Sequence, residues 1–343
     1  MGSGRCTWRV RPIDETAKTR LCAELHLRPL TARVLVAREL SDSVSAARFL
    51  SPRLADLRPP DGIADLDRAM DRLVSAVIRG ERIGVFGDYD VDGITTAAIL
   101  ATSLRSLDAT VTARVARRSS GYGLSPGDAT QFCDEGCTLL LTGDCGTKDS
   151  EAIQICVRRG IDVIVIDHHH VPEGPTPAYA LLNPHRHDDR FPFKGLASCG
   201  LALYLVAALR TRLRGQGHAA AERFEPRDVL DLVALGTIAD MVPLRDENRI
   251  LAAKGLHELA GFRRPGLRAL AELAGVEKGS VIPSDVSYRL APRLNAAGRL
   301  GDAQVALDLL LAPDEATASR LAAALDDMNR QRQKIQDQMW AEA

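Results

Sequence analysis

Three stretches of this sequence concentrate side chains that bind cations or move protons. Asp88-Tyr89-Asp90-Val91-Asp92-Gly93 places three carboxylates at alternate positions. Gly143-Asp144-Cys145-Gly146 carries another, and Asp167-His168-His169-His170 joins a carboxylate to a run of imidazoles. Carboxylates crowded together repel one another unless cations neutralise them. Carboxylates with an added imidazole suit two divalent ions of the Mn²⁺ or Mg²⁺ kind. Each stretch alone has a plainer reading. Asp-x-Asp-x-Asp-Gly could be a calcium loop, but the twelfth position counted from Asp88 is Ile99 and that loop needs a carboxylate there. Turns between strand and helix often use Gly and Asp. Asp144 alone would cap a helix, and the histidines alone could sit at the surface. No Cys₂His₂ spacing marks structural zinc, and Cys133-x-x-x-Cys137 is a weak signal.

The elements that must position these residues follow from hydrophobic periodicity. Residues 65–79 carry apolar side chains at 66, 69, 70, 73, 74, 77 and 78, an amphipathic helix that Gly80 ends. Short apolar runs at 83–86, 109–115, 138–141 and 162–166 then alternate with helical segments at 94–104 and 152–157. Continuous Val/Ile/Leu runs separated by helices predict an α/β fold, a doubly wound parallel sheet covered on both faces. Ligands of such sheets bind outside the carboxyl ends of the strands. Three of the four runs end in the Asp and His stretches, so all three converge on one sheet edge. From about residue 195 the chain is nearly all helix, at 196–213, 228–238, 249–259 and 267–274. A long helix follows Pro313, over 314–340, with apolar residues at 321, 325, 328, 335 and 339. Its segment 329–334 is polar all round, as in a helix that spans solvent or awaits a partner. The division expected is a helical leader over 1–60, built around Leu35-Val36 and Phe49-Leu50, then the sheet domain over 61–312 and a connecting helix over 313–343.

The chain has 343 residues, 45% hydrophobic and 26% charged. Those proportions are ordinary for a globular protein and exclude a fibre, a disordered tail or a disulfide-stapled miniprotein. No window has the eighteen-odd apolar residues of a membrane helix, and residues 1–5 lack the apolar core of a secretory signal. Seven scattered cysteines, at 6, 22, 133, 137, 145, 156 and 199, suit reduced thiols and a cytoplasmic setting. The net charge of −1 alone says nothing for nucleic acid. Its distribution says more: four acid-free windows, 111–127, 205–218, 262–268 and 289–299, carry three arginines each. They hold +12 and leave −13 on the rest. Arginine forks suit phosphate, although any one such window is by default a solvated face.

The three Asp and His stretches, with Gly236-Thr237-Ile238-Ala239-Asp240-Met241-Val242-Pro243-Leu244, resemble motifs one to four of the DHH phosphoesterases. Pro292-Arg293-Leu294-Asn295-Ala296-Ala297-Gly298-Arg299-Leu300-Gly301 is similar to the RecJ branch, single-strand-specific 5′→3′ DNA exonucleases, as is Gly121-Tyr122-Gly123-Leu124 with Arg117 before it. The resemblance runs from about residue 26 to 330, in order. It implies a metal-dependent exonuclease on single-stranded DNA, acting in repair and recombination by two-metal activation of water. Asp90 would help hold the first ion with Asp88 near it, and Asp92 the second. Asp144 would bridge, His168 and Asp240 would complete the ligands of the second ion, and His169 would meet the scissile phosphate or position the water. Arg117, Arg293, Asn295 and Arg299 would hold DNA phosphates. By periodicity alone, Asp240 is only the polar end of a helix. The partners implied are single-stranded DNA and a single-strand-binding protein or helicase, with no membrane and a monomeric chain.

Two departures from the family pattern stand out. A branched apolar residue is usual where Gly143 stands, so a loosened strand end is expected, and His170 is an extra histidine expected at the surface. The family continues past the long helix into a DHH-associated domain with a Gly-rich, His-bearing motif and an OB-fold. No such stretch occurs here, so a catalytic core is expected. The competing functions are a DHH phosphoesterase on short oligonucleotides or cyclic dinucleotides, and a catalytically inactive replication scaffold.

Overall fold

The computed structural model describes residues 9–342, and the contacts divide the chain into two units at Leu57 and Arg58. The first holds α1 (Glu15–Leu25), α2 (Pro29–Ala37) and α3 (Ser43–Leu50). Asp14 and Asp42 accept backbone N–H bonds at the starts of α1 and α3, and Pro29 opens α2, the usual ways to begin a helix. Ala17, Leu21, Ala32, Leu35, Val36 and Ala46 form its small core. Phe49 packs against that core while Leu50 stays exposed, so the apolar pair splits between inside and outside.

The second unit begins with α4 (Leu66–Ile78) and then builds one sheet: β1 (Arg82–Gly87), β2 (Thr110–Val115), β3 (Leu139–Gly143), β4 (Asp162–Ile166) and β5 (Ala180–Leu182). All pairings are parallel, in the order β2-β1-β3-β4-β5. This is the doubly wound α/β sheet that the apolar runs predict. The helices α5 (Val91–Ser106), α6 (Pro126–Asp134) and α7 (Ser150–Arg158) connect the strands. Two of these elements have no strong periodic signal. β5 is only three residues long, and α6 is a polar segment started by a capping box between Ser125 and Asp128. The helix α5 begins three residues before the expected 94. Asp90 accepts the Gly93 N–H and makes the Asp-rich run the helix's first turn.

A helical layer follows: α8 (Ser198–Gly215), α9 (Ala219–Arg223), α10 (Leu230–Ala239), α11 (Asp246–Leu259), α12 (Pro265–Ala274), α13 (Pro283–Asp285), α14 (Ala291–Leu300), α15 (Gln304–Leu310) and α16 (Glu315–Glu342). α5 lies between this layer and the sheet, touching β1, β2 and β3 on one side and α8 and α10 on the other. Gly236 on α10 makes that packing possible, since a Cβ there would meet Thr95, Cys199 and Asp92. Of the polar stretch of α16 only Asn329 is buried and Arg332 half-buried, while residues 330, 331, 333 and 334 face solvent, as a helix that spans solvent or awaits a partner would. Asp326 and Asn329 are buried, because Arg293 donates to Asp326 from α14 at 2.9 Å and Arg330 pairs with it at 2.6 Å.

Gly143 does not loosen the end of β3. It keeps register with Gly87 on β1 and Ile166 on β4, and the Thr96 side chain occupies the space a Cβ would take. Gly143→Val should therefore destabilise the chain by about 1–3 kcal/mol through overpacking. Thr96→Ala in the same chain should recover part of that loss, as read by denaturant unfolding. Strictly additive effects would show that the two positions do not share that space.

Candidate metal centre

The hydrogen-bond ladder runs one step past each strand. Asp88 N–H donates to Gly143 O at 3.0 Å, Asp144 N–H to Ile166 O at 2.9 Å, and Asp167 N–H to Leu182 O at 3.0 Å. Asp88, Asp144 and Asp167 therefore stand in a row at the carboxyl ends of β1, β3 and β4. The strand order reverses between β1 and β3, where open α/β sheets form their binding crevice. Asp144 adopts a left-handed φ of 61°, which an Asp tolerates better than most residues. The Tyr122 hydroxyl holds its carbonyl at 2.7 Å. The first turn of α5 supplies Asp90 and Asp92, the turn after β4 supplies His168 and His169, and Asp240 closes α10.

These side chains fall into overlapping groups whose ligand atoms lie within 4.8 Å of one another: Asp88, Asp90 and Asp144; Asp92, His168 and Asp240; and Asp144, His168 and His169. The His168 Nε2 atom is 3.2 Å from Asp144 Oδ1, 3.6 Å from Asp240 Oδ2 and 3.8 Å from Asp92 Oδ2. Burial pushes Asp88 up to about 7, with the Asp90 charge adding to it. Burial, then Asp92 and Asp90, push Asp240 up to about 7 as well. Asp92 and Asp144 are also raised by burial, and for Asp144 the neighbouring carboxylates, Asp92 foremost, add to the effect.

Donors from other parts of the fold offset some of this cost. The first N–H groups of α8, from Ser198 and Cys199, donate to Asp92 at 2.7 and 3.0 Å. The Ser198 hydroxyl donates to Asp144 Oδ1 at 3.1 Å. Two buried atoms of the cluster make no hydrogen bond, Asp88 Oδ2 and His168 Nε2. Buried polar atoms are rarely left so. A hard oxygen and an imidazole nitrogen, orphaned among unpaired carboxylates, fit divalent cations.

Asp167 has a different part. Burial opposes its charge, but bonds from His169 and Thr147 bring it down to about 2. It accepts the N–H groups of His168, His169 and Thr147 and lies 2.8 Å from His169 Nδ1. An ionised carboxylate only accepts, so Nδ1 carries the hydrogen, and that bond raises the His169 pKa. The role of Asp167 was not drawn from the sequence, although its place at the head of Asp-His-His was the available signal. Nothing in the sequence around Ser198 pointed to the centre.

The expected phosphate-binding residues are placed less uniformly. Arg117 is 69% exposed and 3.5 Å from Asp302. Arg293 is bound to Asp326 and to Arg289 O. Asn295 and Arg299 line a cleft beside Asp240. Ten of the twelve arginines in the acid-free windows face a carboxylate. Among the described residues, Arg118 and Arg299 do not; Arg118 stacks over the Tyr89 ring. His170 is exposed.

Fold and site thus define a parallel α/β protein with a buried Asp/His cluster at the sheet's switch point. The model of the DHH family, N-terminal domain, matches residues 82–237. The single-stranded-DNA-specific exonuclease RecJ of Bacillus subtilis is 36% identical over 345 residues, covering 100% of this chain and 42% of that one. The crystal structure of Thermus thermophilus RecJ in complex with Mn²⁺ superposes with a TM-score of 0.80 at 33% identity, over 96% of this chain and 46% of that one. A structure of exonuclease RecJ bound to manganese gives 0.74 at 36% identity, over 84% of this chain and 71% of that one. The chain belongs to the DHH family, in its RecJ branch. It spans about half the length of the curated relatives it matches.

The charge crowding has a measurable consequence. Asp88 and Asp240 move from 3.8 to about 7 on folding, so the folded state holds these protons more tightly than the unfolded one. Without cations, stability should therefore fall as pH rises between those values and level off above. Asp240→Asn removes one repelling charge. It should raise the melting temperature in chelator at about pH 8 and leave it unchanged at about pH 5. Equal melting temperatures at the higher pH would remove the repulsion argument.

Proposed function

We propose that the chain is a metal-dependent exonuclease that hydrolyses phosphodiesters of single-stranded DNA from the 5′ end, in DNA repair and recombination. The observation that carries this reading is the buried carboxylate cluster with two orphaned ligand atoms, Asp88 Oδ2 and His168 Nε2. Asp88, Asp90 and Asp144 would hold one divalent ion. Asp92, His168 and Asp240 would hold the other, with Asp144 adjoining both sets. Mn²⁺ or Mg²⁺ suits such ligands, and both of the RecJ structures described above hold manganese. When bound, two such ions lend Lewis acidity to a phosphate and to an attacking water.

The chain's own residues supply the rest. Asp167 fixes the His169 ring with its proton on Nδ1, which leaves Nε2, 3.3 Å from the Tyr122 hydroxyl, to turn to a phosphate oxygen. The raised pKa of His169 favours the protonated form that donates such a bond. Asn295 and Arg299, beside Asp240, offer an amide and a guanidinium to neighbouring phosphates. Single-stranded DNA as substrate is supported by the activity named for the relatives. The described cysteines, all free, support a cytoplasmic setting, where a single-strand-binding protein or a helicase would hand over the strand. Among the described residues no helix is long and apolar enough to cross a membrane.

Incubation with Mn²⁺ and a single strand labelled at its 3′ end should give a ladder shortening from the 5′ side, with a duplex control left intact. Asp144→Ala should abolish hydrolysis while leaving the circular dichroism spectrum unchanged; an active variant would remove the metal assignment. Cleavage of dinucleotides alone would redirect the reading to a short-oligonucleotide phosphoesterase, and silence on both to a scaffold. Asp167→Asn should lower kcat by about 10–100-fold, as loss of a ligand-orienting partner does, with KM held. A change confined to KM would place Asp167 outside the chemistry.

A further inference from the structure

A cleft of about 300 Å³ opens beside Asp240, with Ile238, Ala239 and Met241 in its wall. That volume lies at the lower end of ligand pockets, on the scale of one nucleotide. Two large side chains stand at the cleft in solvent: Met241 is 87% exposed and Tyr288 81%. Exposed apolar groups next to a reactive centre are informative where they recur together. Met241 also holds a left-handed φ of 62°, a conformation that costs a non-glycine residue about 1–2 kcal/mol. Tyr288 sits in a π-helical turn, Val286–Leu290, the widened geometry often found at functional sites.

The polar side of the cleft is distinctive as well. Arg299 has no partner among the described residues. Arg332, from the polar stretch of α16, bonds only the amide oxygens of Asn329 and Gln336. Two guanidiniums without a carboxylate partner therefore face one cleft. The Asn295 amide beside them has no hydrogen-bond partner among the described residues either. A second, larger cleft of about 650 Å³ lacks a pair of free guanidiniums, because its Arg186 is bound to Asp65 and Asp188 and its Arg68 stacks over the Tyr179 ring.

Resting on the nuclease reading above, we propose that the cleft is a slot for a single nucleotide next to the scissile phosphate. Tyr288 and Met241 hold the base by stacking and apolar contact, and Arg299 and Arg332 hold the flanking phosphates. Stacking on an aromatic face is tolerant of sequence, so the slot grips the strand without reading it. The slot also admits only an unpaired base.

The test uses a series of single strands, each with one abasic site at successive positions from the 5′ end, and the full chain with Mn²⁺. On the unaltered chain, one position should raise KM on the order of tenfold when its base is removed. Tyr288→Ala should raise KM on the intact strand by about the same factor, and the abasic site should then add nothing. Tyr288→Phe should behave as the unaltered chain. An abasic penalty equal in the unaltered chain and in Tyr288→Ala, or an unchanged KM in that variant, would overturn the slot. Anisotropy of the same strands in chelator reads binding without chemistry. Tyr288-dependent binding without cleavage would sink the nuclease reading and leave the slot standing; cleavage without Tyr288 dependence would do the reverse.

Discussion

Six carboxylates, from Asp88, Asp90, Asp92, Asp144, Asp167 and Asp240, share one edge of the sheet with two imidazoles, and most of them are buried. Like charges in a low-dielectric setting repel strongly, and burial alone already disfavours each ionised form. The rest of the structure is arranged around that repulsion. Backbone N–H groups from α8 meet Asp92, those of Thr147, His168 and His169 meet Asp167, and Gly93 meets Asp90. Even so, Asp88 Oδ2 and His168 Nε2 remain unmatched, which is the strain that cations relieve.

The sheet is what makes such crowding possible. Parallel strands all end at one side, and the ladder continues into Asp88, Asp144 and Asp167 without a break. The reversal of strand order between β1 and β3 parts the connecting loops there. α5 then enters from beneath with Asp90 and Asp92 on its first turn. Gly236 lets α10 approach α5 and α8 closely enough for Asp240 to complete the cluster. A helix buried on nearly every side, as α5 and α10 are, cannot shift to relax the charges. Its position is set by packing, so the charges stay where packing puts them.

Positive charge is handled by the opposite arrangement. Most arginines of the acid-free windows are drawn into pairs that tie helices together, such as Arg264 with Asp231 and Arg293 with Asp326. In both pairs the carboxylate is buried, and both remove guanidiniums from the surface field. Among the described residues, two arginines of these windows stay without a carboxylate. Arg118 lies over Tyr89 in the Asp-rich run, and Arg299 lies beside Asp240 with Arg332. From the otherwise exposed polar segment of α16, Arg332 joins the wall of that cleft.

The doubly wound class and most members of the candidate cluster were legible in the sequence. A strand buried on both faces must be apolar throughout, so 83–86, 138–141 and 162–166 declare themselves, and the polar residues that follow must lie at one edge. The weak elements were not legible: β5 has three residues and α6 starts on a capping box rather than an apolar stripe. Tertiary structure alone decided which distant groups serve the centre. Ser198 reaches Asp92 across 106 residues, and Asp240 ends a helix buried all round, whose periodicity names no face. It also decided which arginines are free, since an acid-free window reports only neighbours along the chain. The carboxylates that claim Arg264 and Arg293 each lie 33 residues away. Local pattern records what a segment must bury, whereas pairing between remote charges exists only once the chain has closed.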